Sequence, residues 1–340
     1  MFSSSVGLDT LLVYNRQSVA PQAVPAVRSW FSLDKDREFT IEEFNGKHDF
    51  IFHPQLALRE ATRMLYYGLR RHLKMLLRLP SKPVAPVVKG DMETAVARYH
   101  QICTELLGEI GSDTGFIDKT ICEVGAGDSL ATAALVLSLG ARQVHLVEIN
   151  PAVIIQRQIE ILSQLQARGL PVRSETVLES APLRLKKDAV VYHQCYMEQL
   201  DAAATFDLIF SNDVLEHVED LNVFFAACYR SLKPGGRMLH FIDLGGHGAF
   251  EDPMPPLEFQ IYPNWLFWLM CPPFNRVTRR SLGEYIQSIQ AAGFTNVNTR
   301  PTRLADPVYL DTVWPRLNRR IRRAGKEQVA VIEFVLSAEK

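Results

Sequence analysis

Apolar positions change their period along this chain. Between Leu56 and Leu79, Leu56, Met64, Leu65, Leu69, Leu73, Leu76 and Leu77 recur at roughly helical spacing, which predicts a helix. Its polar positions are strongly basic: Arg59, Arg63, Arg70, Arg71, Lys74 and Arg78 stand against the single acid Glu60. The residues before it, 1 to 55, show no sustained period and are interrupted by Pro21, Pro25 and Pro54. Pro80, Pro83 and Pro86 after it read as a linker.

From about Asp91 the pattern alternates. Helical spacing covers Glu93–Ile110, Ser129–Leu139, Pro151–Arg168 and Leu221–Leu232. Short apolar runs predict strands at Thr120–Val124, Val144–Ile149, Ala189–His193, Phe206–Phe210 and Arg237–Ile242. Strands that alternate with helices imply a parallel sheet covered on both faces. Gly245 to Arg280 interrupts the alternation with prolines, glycines and aromatics: Phe259, Tyr262, Trp265, Phe267, Trp268 and Phe274. It reads as a lid over the pocket or, at least as well, as a satellite core packed on the sheet edge, with insertion into a membrane surface as a third reading. A helix at Ser281–Ala292, a basic helix at Trp314–Arg323 and a β-branched strand at Val329–Leu336 follow. The organisation expected is an extension at residues 1–90 and a main domain at 91–340, with the insertion 245–280.

Composition narrows the class. In 340 residues, 37 bases nearly balance 38 acids, and hydrophobic residues make up 47%. That is too apolar for disorder and too neutral for a protein that coats nucleic acid. No apolar run approaches the roughly 20 residues of a spanning helix. Five cysteines, an odd number without a CxxC pair, suggest neither a disulfide framework nor a zinc site. With no basic-then-apolar leader at Met1–Asn15, the cytoplasm is the expected compartment.

The candidate chemistry begins at Glu123-Val-Gly125-Ala-Gly127-Asp128, which follows the first strand and opens a helix. Glycines there permit unusual dihedrals and close approach of a ligand to the backbone. Glu148 ends the second strand, where a carboxylate can accept from both ribose hydroxyls. Two cofactors fit this pattern, a dinucleotide and S-adenosylmethionine. Leu130 stands where the dinucleotide fingerprint has its third glycine, and Glu123 would repel a pyrophosphate.

Four strings in order resemble class I S-adenosylmethionine-dependent methyltransferases, of the small-molecule type that includes the ubiquinone and menaquinone enzymes. They are Glu-Val-Gly-Ala-Gly (123–127), Leu-Val-Glu-Ile-Asn (146–150), Phe-Asp-Leu-Ile-Phe-Ser-Asn-Asp-Val-Leu-Glu-His-Val (206–218) and Leu-Lys-Pro-Gly-Gly-Arg (232–237). The resemblance covers about residues 95 to 245 with the last helix and strand. It implies a Rossmann-like seven-stranded sheet, mostly parallel with an antiparallel last strand. It also implies roles. Gly125 and Gly127 approach the methionine part, Glu123 lies near its amino group and Glu148 holds the ribose. Ser211 and Asn212 line the methionine side through backbone groups. Adenine meets the segment Cys195-Tyr196-Met197, and because Tyr196 replaces the aspartate of many members, the backbone N–H of Met197 is the expected contact.

The methyl acceptor is expected beyond the carboxyl ends of the fourth and fifth strands. Three residues there are candidate catalytic groups: His217, and His247 with Asp243 four residues before it as an Asp–His pair. Glu251 and Asp252 add carboxylates but no metal-binding pattern. Asn-Pro-Pro-Tyr is absent after the fourth strand, which argues against nucleic-acid amines as acceptors. The basic stretches, including Arg316, Arg319, Arg320, Arg322 and Arg323, read as solvated faces, an anionic membrane surface or an anionic-substrate site. The function expected is methyl transfer to a small molecule, at oxygen. The alternatives are a cofactor-binding module without turnover and a nicotinamide oxidoreductase.

Overall fold

The structure is a computed structural model. It describes residues 91–111, 115–149, 153, 155–246, 255–271 and 277–340, and some residues between 62 and 77. Expectations for residues 1–55, Pro80–Pro86, His247, Glu251 and Asp252 lie outside the described residues. The described residues from 62 to 76 are helical, as the leucine spacing predicts.

The elements follow the apolar pattern closely in the first half. Helix α1 (Met92–Ile110) starts at Asp91, whose side chain accepts from the Thr94 N–H, and stops at Gly111 with φ 82°. Ala95, Val96, Tyr99, Cys103 and Leu106 form its buried stripe. Strand β1 (Thr120–Val124) is buried along its whole length, as a central parallel strand must be. Then come α2 (Ala131–Ser138), β2 (Gln143–Val147), α3 (Ile155–Ala167), β3 (Leu178–Ser180), β4 (Leu183–Leu185), β5 (Val190–His193), β6 (Phe206–Asn212), α4 (Leu221–Ser231) and β7 (Leu232–Asp243). The second half holds α5 (Asn264–Met270), α6 (Leu282–Ala291), β8 (Thr295–Leu304), α7 (Pro307–Val313), α8 (Arg319–Arg322), α9 (Lys326–Ala330) and β9 (Val331–Glu339).

Seven strands form one sheet in the order β5-β2-β1-β6-β7-β9-β8, and β3 pairs with β4 in a separate hairpin. The pairs β2–β5, β1–β2, β1–β6 and β6–β7 are parallel. β9 runs antiparallel to β7: Gly235 and Gly236 bond to Lys340, while Leu244 bonds to Ile332. The last strand is therefore antiparallel, as expected. The Lys-Pro-Gly-Gly turn is looped out of β7. Phe206 pairs with Leu232, and pairing resumes at Leu208 with Arg237. β8 is an addition to the strands read from the pattern, and α2 begins at Ala131 rather than Ser129.

The described residues fall into two compact units. The sheet unit comprises residues 72–242, Tyr285–Thr299 and Val335–Lys340. Its core joins Ile121, Leu135, Val144, Leu146, Leu162 and Phe210. The second unit comprises residues 62–70, Asp243–Glu284 and Arg300–Phe334. It has two apolar clusters, one around Leu257, Tyr309, Leu310 and Val313, and one around Phe259, Tyr262, Phe267 and Met270 with Leu65 packed on it. The aromatic insertion thus builds a core of its own, while Trp265 and Trp268 remain 68% and 53% exposed. Gly68 is required where the N-terminal helix meets α5: a Cβ there would lie 2.3 Å from the Leu269 carbonyl oxygen. Among the described residues, no helix is long and apolar enough to cross a membrane.

Candidate active site

The glycine turn leaves β1 at Gly125, whose φ of +74° suits glycine. Its N–H donates to the Val147 carbonyl at 2.8 Å. A side chain there would also strike Val214, since a Cβ would sit 2.3 Å from Cγ2. Gly127, φ +62°, has open space where a Cβ would stand, and its N–H donates to Glu148 Oε2 at 3.0 Å. The acid after β2 and the turn after β1 are therefore joined directly.

The first N–H groups of α2 are already engaged. The Leu130 N–H donates to Gln158 Oε1 at 2.9 Å, the Ala131 N–H to Ser129 Oγ at 3.1 Å, and Gln158 Nε2 donates to the Asp128 carbonyl. A pyrophosphate site needs such donors pointing at the ligand. Here they are used internally, one of them by a fully buried glutamine.

Glu123 lies behind the turn, buried, and accepts the Thr132 hydroxyl, with its two oxygens at 2.7 and 2.6 Å. Burial pushes its carboxyl up to about 7; the Thr132 bond opposes this and the Glu148 charge adds to it. An acid whose folded pKa is raised stabilises the fold below its unfolded pKa and loses that contribution as pH rises through the folded value. The window is about pH 4.5 to 7. The loss is about 3 kcal/mol, at roughly 1.4 kcal/mol for each pH unit that the window spans. Glu123→Gln, which can still accept from Thr132, should therefore unfold at a higher temperature than the wild type at pH 8, with the gain vanishing near pH 5. Thermal scans without cofactor at the two pH values test this; a gain of equal size at both would refute it.

Two side chains that the sequence pattern did not single out come from α1. Tyr99 donates from its hydroxyl to Asp128 Oδ1 at 2.6 Å, and Arg98 pairs with Asp213. Asp213 follows β6 with φ +52°, and its N–H bonds to the Phe241 carbonyl. The one sequence signal was a tyrosine on a buried stripe, whose hydroxyl requires a partner.

The other expected site residues are placed as follows. Ser211 and His240 are fully buried, with Ser211 Oγ 2.7 Å from His240 Nδ1, so the Ser211 hydroxyl is turned inward. Asn212 ends β6 half-buried. Met197 is buried at the start of a short turn, and Tyr196 before it is exposed. His217 closes the turn Leu215–His217, with Nε2 3.9 Å from Glu216 Oε1. In the second unit, Asp243 Oδ1 accepts from the Gly245 N–H at 2.7 Å and from Arg303 at 3.5 Å; Arg303 also pairs with Glu333 at 2.8 Å.

Residues 122–240 match the methyltransferase-domain family. A ubiquinone biosynthesis O-methyltransferase of Mesorhizobium japonicum is 41% identical over 68 residues, which is 19% of this chain and 27% of the relative. Phosphoethanolamine N-methyltransferase 2 of Caenorhabditis elegans is 28% identical over 138 residues, 40% of this chain and 27% of the relative. The chain spans 27–33% of the length of the ubiquinone relatives first matched. Among solved structures, the geranyl diphosphate C-methyltransferase of Streptomyces coelicolor is similar at 14% identity, with a TM-score of 0.42, over 82% of this chain and 97% of that one. The glycine turn, the acid after β2 and the sheet order agree with the match over 122–240, and by these features that part of the chain is similar to a class I S-adenosylmethionine-dependent methyltransferase domain.

Proposed function

We propose that the chain transfers a methyl group from S-adenosylmethionine to a hydroxyl oxygen of a small-molecule acceptor. The observation that carries this reading is the joined pair of Gly127 and Glu148 beside a helix start whose donors are used internally. That arrangement suits a cofactor with a ribose and a cationic end and takes up two donors that a pyrophosphate would use, which disfavours a nicotinamide enzyme. When bound, the cofactor supplies a methyl group on a sulfonium. Glu148 would hold the ribose hydroxyls, Gly125 and Gly127 would admit the methionine part, and Glu123 stands behind them on the side of its amino group. The backbone of Ser211 and Asn212 lines the methionine side, and the Met197 N–H contacts adenine.

The acceptor oxygen forms a bond to the methyl carbon as the sulfur–carbon bond breaks. That electron pair stays on sulfur, and the hydroxyl proton passes to a base. His247 with Asp243 is the base we assign, with His217 as the second candidate. His247→Ala should lower turnover by about 100-fold or more while cofactor affinity is kept; full turnover would remove His247 from this role.

Support for oxygen comes from the matched ubiquinone O-methyltransferases. The nematode relative is an N-methyltransferase, so the methylated product decides between oxygen and nitrogen. The decisive experiment is calorimetric titration with S-adenosylmethionine, followed by transfer of labelled methyl to a panel of phenols and catechols. No binding at millimolar cofactor ends the reading; binding with no transfer to any acceptor favours a module without turnover.

We place the protein in the cytoplasm, which the free cysteines suit. We also place an anionic membrane surface as a partner of the second unit. Exposed Tyr66, Leu69, Trp265 and Trp268 accompany Arg70 and the arginines of 316–323 there. Part of that charge is internally used, since Arg320 pairs with Glu284 at 2.9 Å. Sedimentation with anionic vesicles but not with neutral ones, abolished by high salt, is the expected result; equal recovery with both would sink the idea.

A further inference from the structure

Glu258 opens the short turn Glu258–Ile261 in the aromatic insertion. It is 0% exposed, and among the described residues neither carboxylate oxygen has a hydrogen-bond partner. Gln260, 4% exposed, has its Oε1 without a partner in the same turn. Two other buried charged side chains contrast with this pair. Glu123 has Thr132, and Arg279 donates to the Tyr262 carbonyl and to Asn264 Oδ1 while lying over the Phe267 ring. An unpaired buried carboxyl is costly and is normally compensated by a partner. When the fold provides none, a ligand is a ready source of one.

The surroundings define that ligand. Leu257, on one side in the chain, packs with Tyr309, Leu310 and Val313. Phe259, on the other, packs with Tyr262, Phe267 and Met270. The Leu257 N–H donates to the Tyr309 hydroxyl at 3.0 Å. The segment is tied to the loop leaving β7 by the Gly246 N–H, which donates to the Pro256 carbonyl at 3.0 Å. Apolar and aromatic neighbours on both sides of one buried acid suit a largely apolar molecule that carries an O–H donor.

We propose that Glu258 receives a hydroxyl of the methyl acceptor, so that the second unit contains an acceptor-binding subsite; the assignment rests on the methyl-transfer reading above. Burial alone pushes the Glu258 carboxyl up to about 7. The titratable group from another element that senses it is Tyr309, which is raised by its own burial and further by the Glu258 charge. Near neutral pH a hydroxyl therefore meets an acid that can accept or donate without bringing net charge into apolar surroundings.

The test uses the full chain and Glu258→Gln. Without ligand, the raised acid makes the wild type lose stability as pH climbs from about 4.5 through 7. Glu258→Gln should therefore melt higher than the wild type at pH 8, by on the order of 3 °C, with little difference at pH 5. A variant that melts lower at pH 8 would show a partnered carboxylate and overturn the proposal. Millimolar catechol, used as the probe, should raise the wild-type melting temperature at pH 7 and do so much less for the variant. No shift in the wild type, or equal shifts, also overturns it. In turnover, the variant should raise the acceptor KM about tenfold, with kcat within about threefold. If the wild type binds cofactor but methylates no phenol, the methyl-transfer reading fails, and the melting and catechol measurements still decide the role of Glu258.

Discussion

Gly125→Ala is expected to weaken S-adenosylmethionine binding by at least about 100-fold and to destabilise the domain by about 2–5 kcal/mol. Two separate costs add. An alanine at φ +74° pays about 1–2 kcal/mol of backbone strain. Its Cβ would also lie 2.3 Å from Val214 Cγ2, and relieving that overlap costs about 1–3 kcal/mol more. Val214 follows Asp213 at the carboxyl end of β6, so relief of the overlap displaces one wall of the proposed cofactor site. Gly127→Ala is the internal control. Its Cβ meets nothing within 4 Å, so strain of about 1–2 kcal/mol is its main cost. Denaturant titration gives the stabilities and calorimetry the affinities. Two variants with the same affinity loss would show that the Val214 contact does not matter; wild-type affinity in Gly125→Ala would show that this turn does not position the cofactor.

Glu148→Gln should weaken cofactor binding by about 100-fold, with kcat at saturating cofactor nearly unchanged. A carboxylate that accepts from both ribose hydroxyls makes two charge-assisted bonds, each worth about 1.5–3 kcal/mol. An amide retains one acceptor oxygen. A loss of about 3 kcal/mol corresponds to roughly 100-fold in Kd. The amide oxygen can still take the Gly127 N–H, so the melting temperature without cofactor should hardly move. Glu148→Ala separates the two duties, because it loses the Gly127 bond as well. If the glutamine variant binds as the wild type does, the ribose contact lies elsewhere.

The parallel half of the sheet was readable because its strands are short, mostly apolar runs, buried throughout at Thr120–Val124, and because their spacing alternates with amphipathic helices. The four motifs located the turn and both flanking acids. β8 escaped because its sequence, TNVNTRPTRL, is polar and contains Pro301. Proline and arginine are tolerated there because β8 stands at the end of the strand order, with β9 as its sheet neighbour. The β3–β4 hairpin was missed because each strand has only three residues. α2 starts at Ala131, and the acceptor of the Leu130 N–H before it is Gln158, distant in sequence. Arg98, Tyr99 and Glu258 were invisible for a common reason. Each matters through what it faces, or fails to face, across the fold, and a linear pattern carries no such information.

The grip of α1 on the turn also bears on motion. Tyr99 holds Asp128 and Arg98 holds Asp213, so one helix spans the residues on both sides of Gly125. A local opening of α1 releases both at once, and a cofactor that needs both in place binds only the closed form. Ligand binding then draws the helix into protection by mass action. Amide protons from Val96 to Leu106 should exchange with deuterium more slowly in the presence of S-adenosylhomocysteine, although the cofactor residues assigned above begin only at Glu123.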